Sequence, residues 1–199
     1  MSPMNYGALL SFVLITTFTP GPNNISSSSM GILYGYQKSL NYLIGIASGF
    51  FGIMLLSGII SRTLYALFPS IEAALRIAGA LYILWLAYTS LKTSYTFDLE
   101  KSPPLGFANG VILQAMNPKA WVYGLTLYTT FLASIAGNWG LLIPSAVVLA
   151  LIAFSAISTW ALTGAAIRRF LHHSRIQRFI NAVLALLLAY TAVEVSGLI

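Results

Sequence analysis

The amino-acid sequence predicts an all-α membrane protein with six transmembrane helices built as a 3+3 inverted repeat, in which helices 1 and 4 are broken at proline motifs. Three observations lead to this prediction. Only 7% of the residues are charged while 58% are hydrophobic, the hydrophobic residues form long runs, and proline lies inside two of the runs. Soluble domains carry about 25% charged residues, so this chain has too few charges to solvate a whole surface in water.

Six hydrophobic runs are each long enough to cross a bilayer, which takes about 20 residues in a helix. The runs fall at about 4–29, 39–61, 70–92, 106–134, 141–166 and 178–198. The first run has no basic residue before it and no small-residue cleavage site. We therefore expect it to stay as a helix rather than to be removed as a signal peptide.

Basic residues in the connections orient these helices. Lys38 lies in the first connection, Lys92 and Lys101 flank the third, and four arginines crowd the fifth. Because cytoplasmic loops carry an excess of Lys and Arg, we expect the odd-numbered connections in the cytoplasm and both termini outside it. The same clustering speaks against nucleic acid as the partner of a chain with net charge +6.

Two coincidences indicate an internal repeat within one transmembrane domain, residues 1–199, with halves at about 1–95 and 104–199. Segments 76–89 and 178–191 align without gaps and end in the same Ala-Tyr-Thr. The proline motifs of helices 1 and 4 are separated by almost the same interval. Three helices per half is an odd number, so the second half inserts inverted, as in many secondary transporters. Chance similarity between apolar helices is the alternative.

The proline motifs are Thr-Pro-Gly-Pro-Asn-Asn at 19–24 and Asn-Pro-Lys at 117–119. Proline has no N–H and clashes with the carbonyl four residues earlier, so the carbonyls of Thr16, Phe18 and Gln114 should be freed. Unpaired backbone groups persist in lipid only where protein, water or a ligand satisfies them. A zwitterion suits such a site, with its ammonium at freed carbonyls and its carboxylate at the N-terminus of the next half-helix. A kink used only for packing is the alternative.

Lys119 is a charge near the middle of helix 4, where a lysine costs about 2.5–3.5 kcal/mol. We expect it to hold a substrate carboxylate or to exchange a proton, and a purely structural contact with freed carbonyls is the alternative. The residues expected to bind substrate are Thr19, Pro20, Gly21, Pro22, Asn23, Asn24, Gln114, Asn117, Pro118 and Lys119.

Two further patterns favour helix packing. The serines at 26–29 have two interpretations, the lining of a polar passage and close contact between helices. We favour close contact, because small residues let helices approach each other. Gly45 and Gly49 have the GxxxG spacing that usually means packing within a bundle.

Several functions are disfavoured by what the sequence lacks. The absence of cysteine excludes disulfides, thiolate metal sites and a cysteine nucleophile. No Asp or Glu lies deep in a hydrophobic run, which disfavours a divalent-cation carrier. His172 and His173 lie among arginines, whose positive charges disfavour a metal site there. We expect no metal and no cofactor. An intramembrane enzyme acting on lipid or peptide is the alternative class, although no helix pairs a buried His or Asp with a Ser nucleophile. An ion channel is disfavoured because no filter or charged ring is repeated.

Motifs along essentially the whole chain resemble the LysE/RhtB family of amino-acid exporters. They are Thr-Pro-Gly-Pro-Asn at 19–23, Gly35, Gly45 with Gly49, Gly-Ala-Leu-Tyr-Ile-Leu-Trp-Leu-Ala at 79–87 and Asn-Pro-Lys-Ala at 117–120. The resemblance implies six transmembrane helices in the bacterial inner membrane, with both termini in the periplasm on the orientation above. It also implies export of amino acids in exchange for protons and no enzyme activity.

Within the family, the chain looks most like the branch that exports cysteine and O-acetylserine. This likeness is carried by segments 19–24 and 49–56 and by the pair Tyr123-Gly124. Threonine or homoserine is the alternative substrate. Many members of the family have Asp where this chain has Asn23. Because Asn23 has no carboxylate to take up a proton, Lys119 is the residue we expect to couple transport to protons. A homodimer is left open.

Overall fold

The structure, a computed structural model, describes residues 6–64 and 104–167, together with single positions at 81, 84 and 88 and between 179 and 193. All regular structure in these ranges is helical. Several predicted features lie largely or wholly outside the described residues. They are predicted helices 3 and 6, the aligned segments 76–89 and 178–191, and the third and fifth connections. The inverted repeat and the membrane orientation therefore stay predictions.

The continuous ranges 6–64 and 104–167 contain six α-helices and one short π-helical segment. In chain order they are α1 (Tyr6–Phe18), α2 (Pro22–Tyr34), α3 (Tyr36–Leu64), α4 (Phe107–Ala115), α5 (Pro118–Thr126), the π-helical segment Leu127–Phe131, and α6 (Trp139–Ile167). Predicted helix 1 thus corresponds to α1 and α2, and predicted helix 4 corresponds to α4, α5 and the π-helical segment.

Both helix breaks lie where the proline motifs predicted them. Pro22 begins α2 and Pro118 begins α5, each within the first turn of its helix. This position suits proline because the first N–H groups of a helix have no partner inside the helix. The prolines therefore start new helices rather than kink continuous ones.

The predicted first connection, which contained Lys38, is wrong. Helix α2 continues to Tyr34 and α3 begins at Tyr36, so one residue, Gly35, makes the turn. Its φ of 77° lies in the left-handed region that favours glycine. The serine-rich sequence lowers the hydropathy of α2 but does not end the helix, which is why hydropathy placed the boundary too early. Lys38 is exposed in the first turn of α3, and its charge remains next to the turn.

Two described helices are long and apolar enough to cross a membrane. They are the 26-residue stretch Tyr36–Ser61 of α3 and the 29 residues of α6. The two halves of predicted helix 1 are shorter, since α1 and α2 have 13 residues each. Among the described residues, α3 and α6 are thus the helices whose length and composition suffice for a membrane span.

Small residues let the helices of this bundle touch backbone to backbone. A Cβ atom on Gly31 of α2 would lie 2.0 Å from the carbonyl oxygen of Ala161 in α6. A Cβ atom on Gly45 of α3 would lie 2.1 Å from the carbonyl oxygen of Phe107 in α4. The packing interpretation of Gly45 is therefore confirmed.

The serines of α2 also belong to this packing. Ser27 and Ser28 are buried, and Ser26 shares a hydrogen bond with the hydroxyl of Tyr42 in α3. The hydroxyl of Ser29 donates to the carbonyl of Ile25 in its own helix. These contacts support close helix packing rather than a polar passage.

Candidate substrate site

The first break runs between the end of α1 at Phe18 and the start of α2 at Pro22. Gly21 precedes α2 in an extended conformation, with φ −173° and ψ 174°. No side chain caps the first turn of α2. The N-terminus of this helix therefore offers backbone N–H groups and a positive dipole end next to the break.

The carbonyls around this break accept hydrogen bonds from the chain itself. The Thr19 hydroxyl donates to Thr16 O at 3.1 Å, and the indole N–H of Trp160 donates to Phe18 O at 3.2 Å. The side-chain amide of Asn24 donates to Thr17 O at 2.9 Å and to Thr19 O at 2.8 Å. Buried backbone groups are almost always paired. The freed carbonyls of Thr16 and Phe18 are thus already occupied, in contrast to the expectation that they face a substrate.

The second break is capped by a side chain from the motif itself. Helix α4 ends at Ala115 and α5 begins at Pro118. Asn117 is 3% exposed, and its Oδ1 accepts from the backbone N–H of Lys119 at 3.1 Å. The carbonyl of Gln114, predicted to be freed, accepts from Asn117 N at 3.0 Å. Asn117 thus acts as a helix N-cap.

Lys119 joins the two breaks. Its Nζ donates to Thr19 Oγ1 at 3.0 Å and to Pro20 O at 3.2 Å. Gly21 leaves room for this contact, since a Cβ atom there would lie 3.2 Å from Lys119 Cδ and 3.4 Å from Nζ. The lysine therefore stabilises the break structurally, and it also places a positive charge where the two motifs meet.

A pair of side-chain amides makes the second link between the breaks. Asn23 Nδ2, on the first turn of α2, donates to Oε1 of Gln114 near the end of α4. Gln114 is fully buried. The remaining polar atoms of the pair, Asn23 Oδ1 and Gln114 Nε2, are buried without a hydrogen-bond partner.

A cavity of about 50 Å³ lies between the two breaks. It is small beside ligand pockets of about 300–1,000 Å³, and one water takes about 30 Å³ of the liquid. An amino acid has several times the atoms of one water, so this volume is smaller than a whole amino acid needs. The lining residues are Thr16, Thr17, Thr19, Gly21, Pro22, Asn23, Asn24, Ile46, Phe50, Asn117, Lys119, Ala120, Tyr123, Ala153 and Ile157.

Seven of the ten residues predicted from the motifs line this cavity. The other three lie beside it: Pro20 contributes the carbonyl that accepts from Lys119, Gln114 holds Asn23, and Pro118 begins α5. The structure thus brings both motifs to one place. Whether these residues bind a substrate stays a prediction.

Sequence reasoning missed the aromatic residues of the cavity. Tyr123 follows Lys119 by four residues, a spacing that places both on one face of a helix. Its ring stacks on Phe12 of α1 with centroids 5.4 Å apart, and Phe50 of α3 lies 5.6 Å from it. The four-residue spacing was a signal for Tyr123, whereas the place of Phe50 depends on how α3 packs against α5.

The charge of the site has one sign. Lys119 is the charged residue among those lining the cavity. The part of the chain that the structure describes contains no Asp or Glu, since the four acidic residues are at positions 72, 98, 100 and 194. The site therefore offers a cation and neutral polar groups.

Comparison with known proteins gives the family. The profile described as LysE type translocator matches residues 14–196. The chain is 39% identical over 198 residues to the cysteine/O-acetylserine efflux protein of Salmonella choleraesuis (strain SC-B67), with 98% of this chain and 99% of the relative covered. It is 35% identical over 195 residues to proteins of the same name from Shigella flexneri serotype 5b (strain 8401) and Escherichia coli O1:K1 / APEC, with the same coverage. No solved structure matches. Because the family profile spans nearly the whole chain, the protein belongs to the family of LysE type translocators.

Proposed function

We propose that this protein is a secondary active exporter of small neutral amino acids, of the cysteine and O-acetylserine type, in the bacterial inner membrane. The names of relatives that align over nearly the full length support the substrate class. The observation that carries the proposal is the contact of Lys119, from the second break, with Thr19 and Pro20 of the first. It places the positive charge of the cavity at the junction of two helix breaks.

The chemistry of the cavity suits a small neutral amino acid. The positive charge of Lys119 attracts a carboxylate. Ile46, Phe50 and Ile157 provide an apolar wall for an uncharged side chain. Since the described residues hold no carboxylate to pair with a second cation, a basic amino acid such as lysine is disfavoured.

Transport then follows an alternating-access cycle coupled to protons. Substrate enters from the cytoplasmic side, the two three-helix halves rock about the shared site, and release follows in the periplasm. Lys119 is the proposed site of proton exchange because it is the titratable cation of the cavity. The small volume of the cavity supports this cycle, since a whole amino acid needs more space than it offers. One domain over residues 1–199 with periplasmic termini completes the proposal, and a homodimer is compatible with it.

Transport by purified protein in proteoliposomes tests this function. Vesicles are offered cysteine, O-acetylserine, threonine, homoserine and lysine, while uptake and internal pH are followed. We expect saturable transport of cysteine or O-acetylserine with accompanying proton flux, and none of lysine. Chemical conversion of a substrate would instead indicate an enzyme, and an unsaturable conductance would indicate a channel.

A further inference from the structure

We propose that Asn23 Oδ1 receives the ammonium group of the substrate and that Gln114 is the residue that positions it. The inference rests on the proposed amino-acid export and adds the orientation of the bound amino acid. The carboxylate faces Lys119, and the ammonium faces the neutral amide at the start of α2.

An ammonium group in the cavity needs a hydrogen-bond acceptor. A carboxylate would be the strongest acceptor, but the described residues include no Asp or Glu. The backbone carbonyls of residues 16–21 are the next candidates. Each of them accepts a hydrogen bond from the chain, including Pro20 O from Lys119 and Gly21 O from Ile25 N at 2.9 Å.

Several buried polar side-chain atoms lack a hydrogen-bond partner. Among the described residues, four side-chain atoms are in this state: Asn23 Oδ1, Ser27 Oγ, Ser57 Oγ and Gln114 Nε2. Of these four residues, Asn23 alone lines the cavity. A buried acceptor without a donor costs free energy, and a substrate ammonium would remove that cost.

The side chain of Asn23 is held by Gln114. Its Nδ2 donates to Oε1 of Gln114, so the amide plane is fixed from the side of α4. Gln114 itself has little freedom, since it is fully buried and a Cβ atom on Gly49 would lie 2.9 Å from its Cβ. Because an asparagine amide has one donor end and one acceptor end, occupying the donor end leaves Oδ1 for the ligand.

The resulting site recognises both ends of a zwitterion with one charge of its own. Lys119 pairs with the carboxylate, and Asn23 accepts from the ammonium without adding a negative charge. The α-ammonium of the substrate is then selected by a hydrogen bond rather than by an ion pair. This predicts a preference for amino acids over analogues without the amino group that depends on residue 23.

Competition against transport of labelled O-acetylserine measures that preference. The competitors are cysteine, 3-mercaptopropionate, which lacks the ammonium, and cysteamine, which lacks the carboxylate. We expect wild-type protein to prefer cysteine over 3-mercaptopropionate by about tenfold or more, the effect of one hydrogen bond to a charged group. Asn23→Leu should bring that ratio close to one, whereas Asn23→Asp should keep or increase it.

Two further variants separate positioning from general damage. Gln114→Leu should lower the ratio of cysteine to 3-mercaptopropionate but not the ratio of cysteine to cysteamine, because the carboxylate partner is unchanged. Asn41→Leu makes the same Asn-to-Leu change at an exposed position of α3 outside the cavity, and both ratios should stay at the wild-type values. If Asn23→Leu does not fold, Asn23→Asp and Gln114→Leu still decide the matter.

A wild-type ratio in Asn23→Leu would overturn the assignment, and so would loss of the preference in Asn23→Asp. These results leave the proposed export intact, because wild-type transport is measured in the same vesicles. Wild-type protein that transports neither cysteine nor O-acetylserine would overturn both proposals together.

Discussion

Replacing Lys119 with methionine should abolish export while leaving the protein folded in the membrane. Methionine keeps most of the length and apolar volume of the side chain and removes the charge. Lys119 makes two hydrogen bonds across the breaks, at 3.0 Å to Thr19 Oγ1 and at 3.2 Å to Pro20 O. The variant loses both contacts, and we expect its stability and its transport to change by different amounts.

The effect of this change on stability should be moderate, because a loss and a gain partly offset each other. Each hydrogen bond from a charged donor contributes about 1.5–3 kcal/mol. Against that loss, a lysine in the middle of a membrane helix costs about 2.5–3.5 kcal/mol, a cost that methionine does not carry. The two bonds together contribute about 3–6 kcal/mol, so the net loss of stability is at most about 3.5 kcal/mol, and we expect the variant still to insert and to remain monodisperse.

The effect on transport should be large. A substrate carboxylate loses its charged partner, and a charge-assisted contact of about 1.5–3 kcal/mol corresponds to roughly a 10- to 150-fold weaker apparent affinity. Loss of the proposed proton-exchanging group should also remove proton-coupled turnover, so saturating substrate should not restore export.

Proteoliposome export of O-acetylserine, normalised to inserted protein, measures this effect. Lys38→Met is the matched control, because Lys38 is exposed in the first turn of α3 and does not line the cavity. We expect Lys38→Met to transport like the wild type. Full export by Lys119→Met at wild-type substrate affinity would refute the role assigned to this lysine.

Three further predictions concern the breaks and the packing around them. Pro20→Ala together with Pro22→Ala should reduce transport more than thermal stability, because α1 and α2 can then join and close the break; normal efflux would show that the break serves packing only. Gly31→Ala should lower the unfolding temperature in detergent, since its Cβ atom would lie 2.0 Å from a carbonyl oxygen and overpacking costs about 1–3 kcal/mol or more. Gly52→Ala, with no atom within 4 Å of the added carbon, should leave that temperature unchanged or higher, and equal losses in both variants would contradict the packing argument. Asn24→Leu should destabilise the protein by about 1–3 kcal/mol for each of the two carbonyls it leaves without a donor, and wild-type thermal stability would disprove this capping role.

The helix breaks were predictable because proline acts locally. The missing N–H and the clash with the preceding turn operate wherever Pro20, Pro22 and Pro118 are placed, so the motif alone locates the ends of α1 and α4 to within a few residues. The first connection was not predictable from hydropathy. Four serines lower the apolar average without interrupting the helix, and Gly35 makes the turn.

The members of the site were largely predictable, but their contacts were not. The sequence indicated that Lys119 and the first motif lie at similar depth, whereas the donation from Nζ to Pro20 O depends on the path of the extended residues before α2. The pairing of Asn23 with Gln114 depends on the rotation of α2 relative to α4. Phe50 likewise enters the cavity through the packing of α3, which no local pattern encodes.

Substrate protection of an introduced cysteine tests the central claim most directly, namely that the two breaks form one amino-acid site. The chain contains no cysteine, so labelling has no background from the protein. Thr16→Cys places a thiol in the cavity lining, and Gly137→Cys places one in an exposed turn outside it. We predict that O-acetylserine slows maleimide labelling of the Thr16→Cys variant at concentrations near its transport affinity and leaves the Gly137→Cys variant unaffected. Labelling of the Thr16→Cys variant at the same rate with and without saturating O-acetylserine would contradict the account.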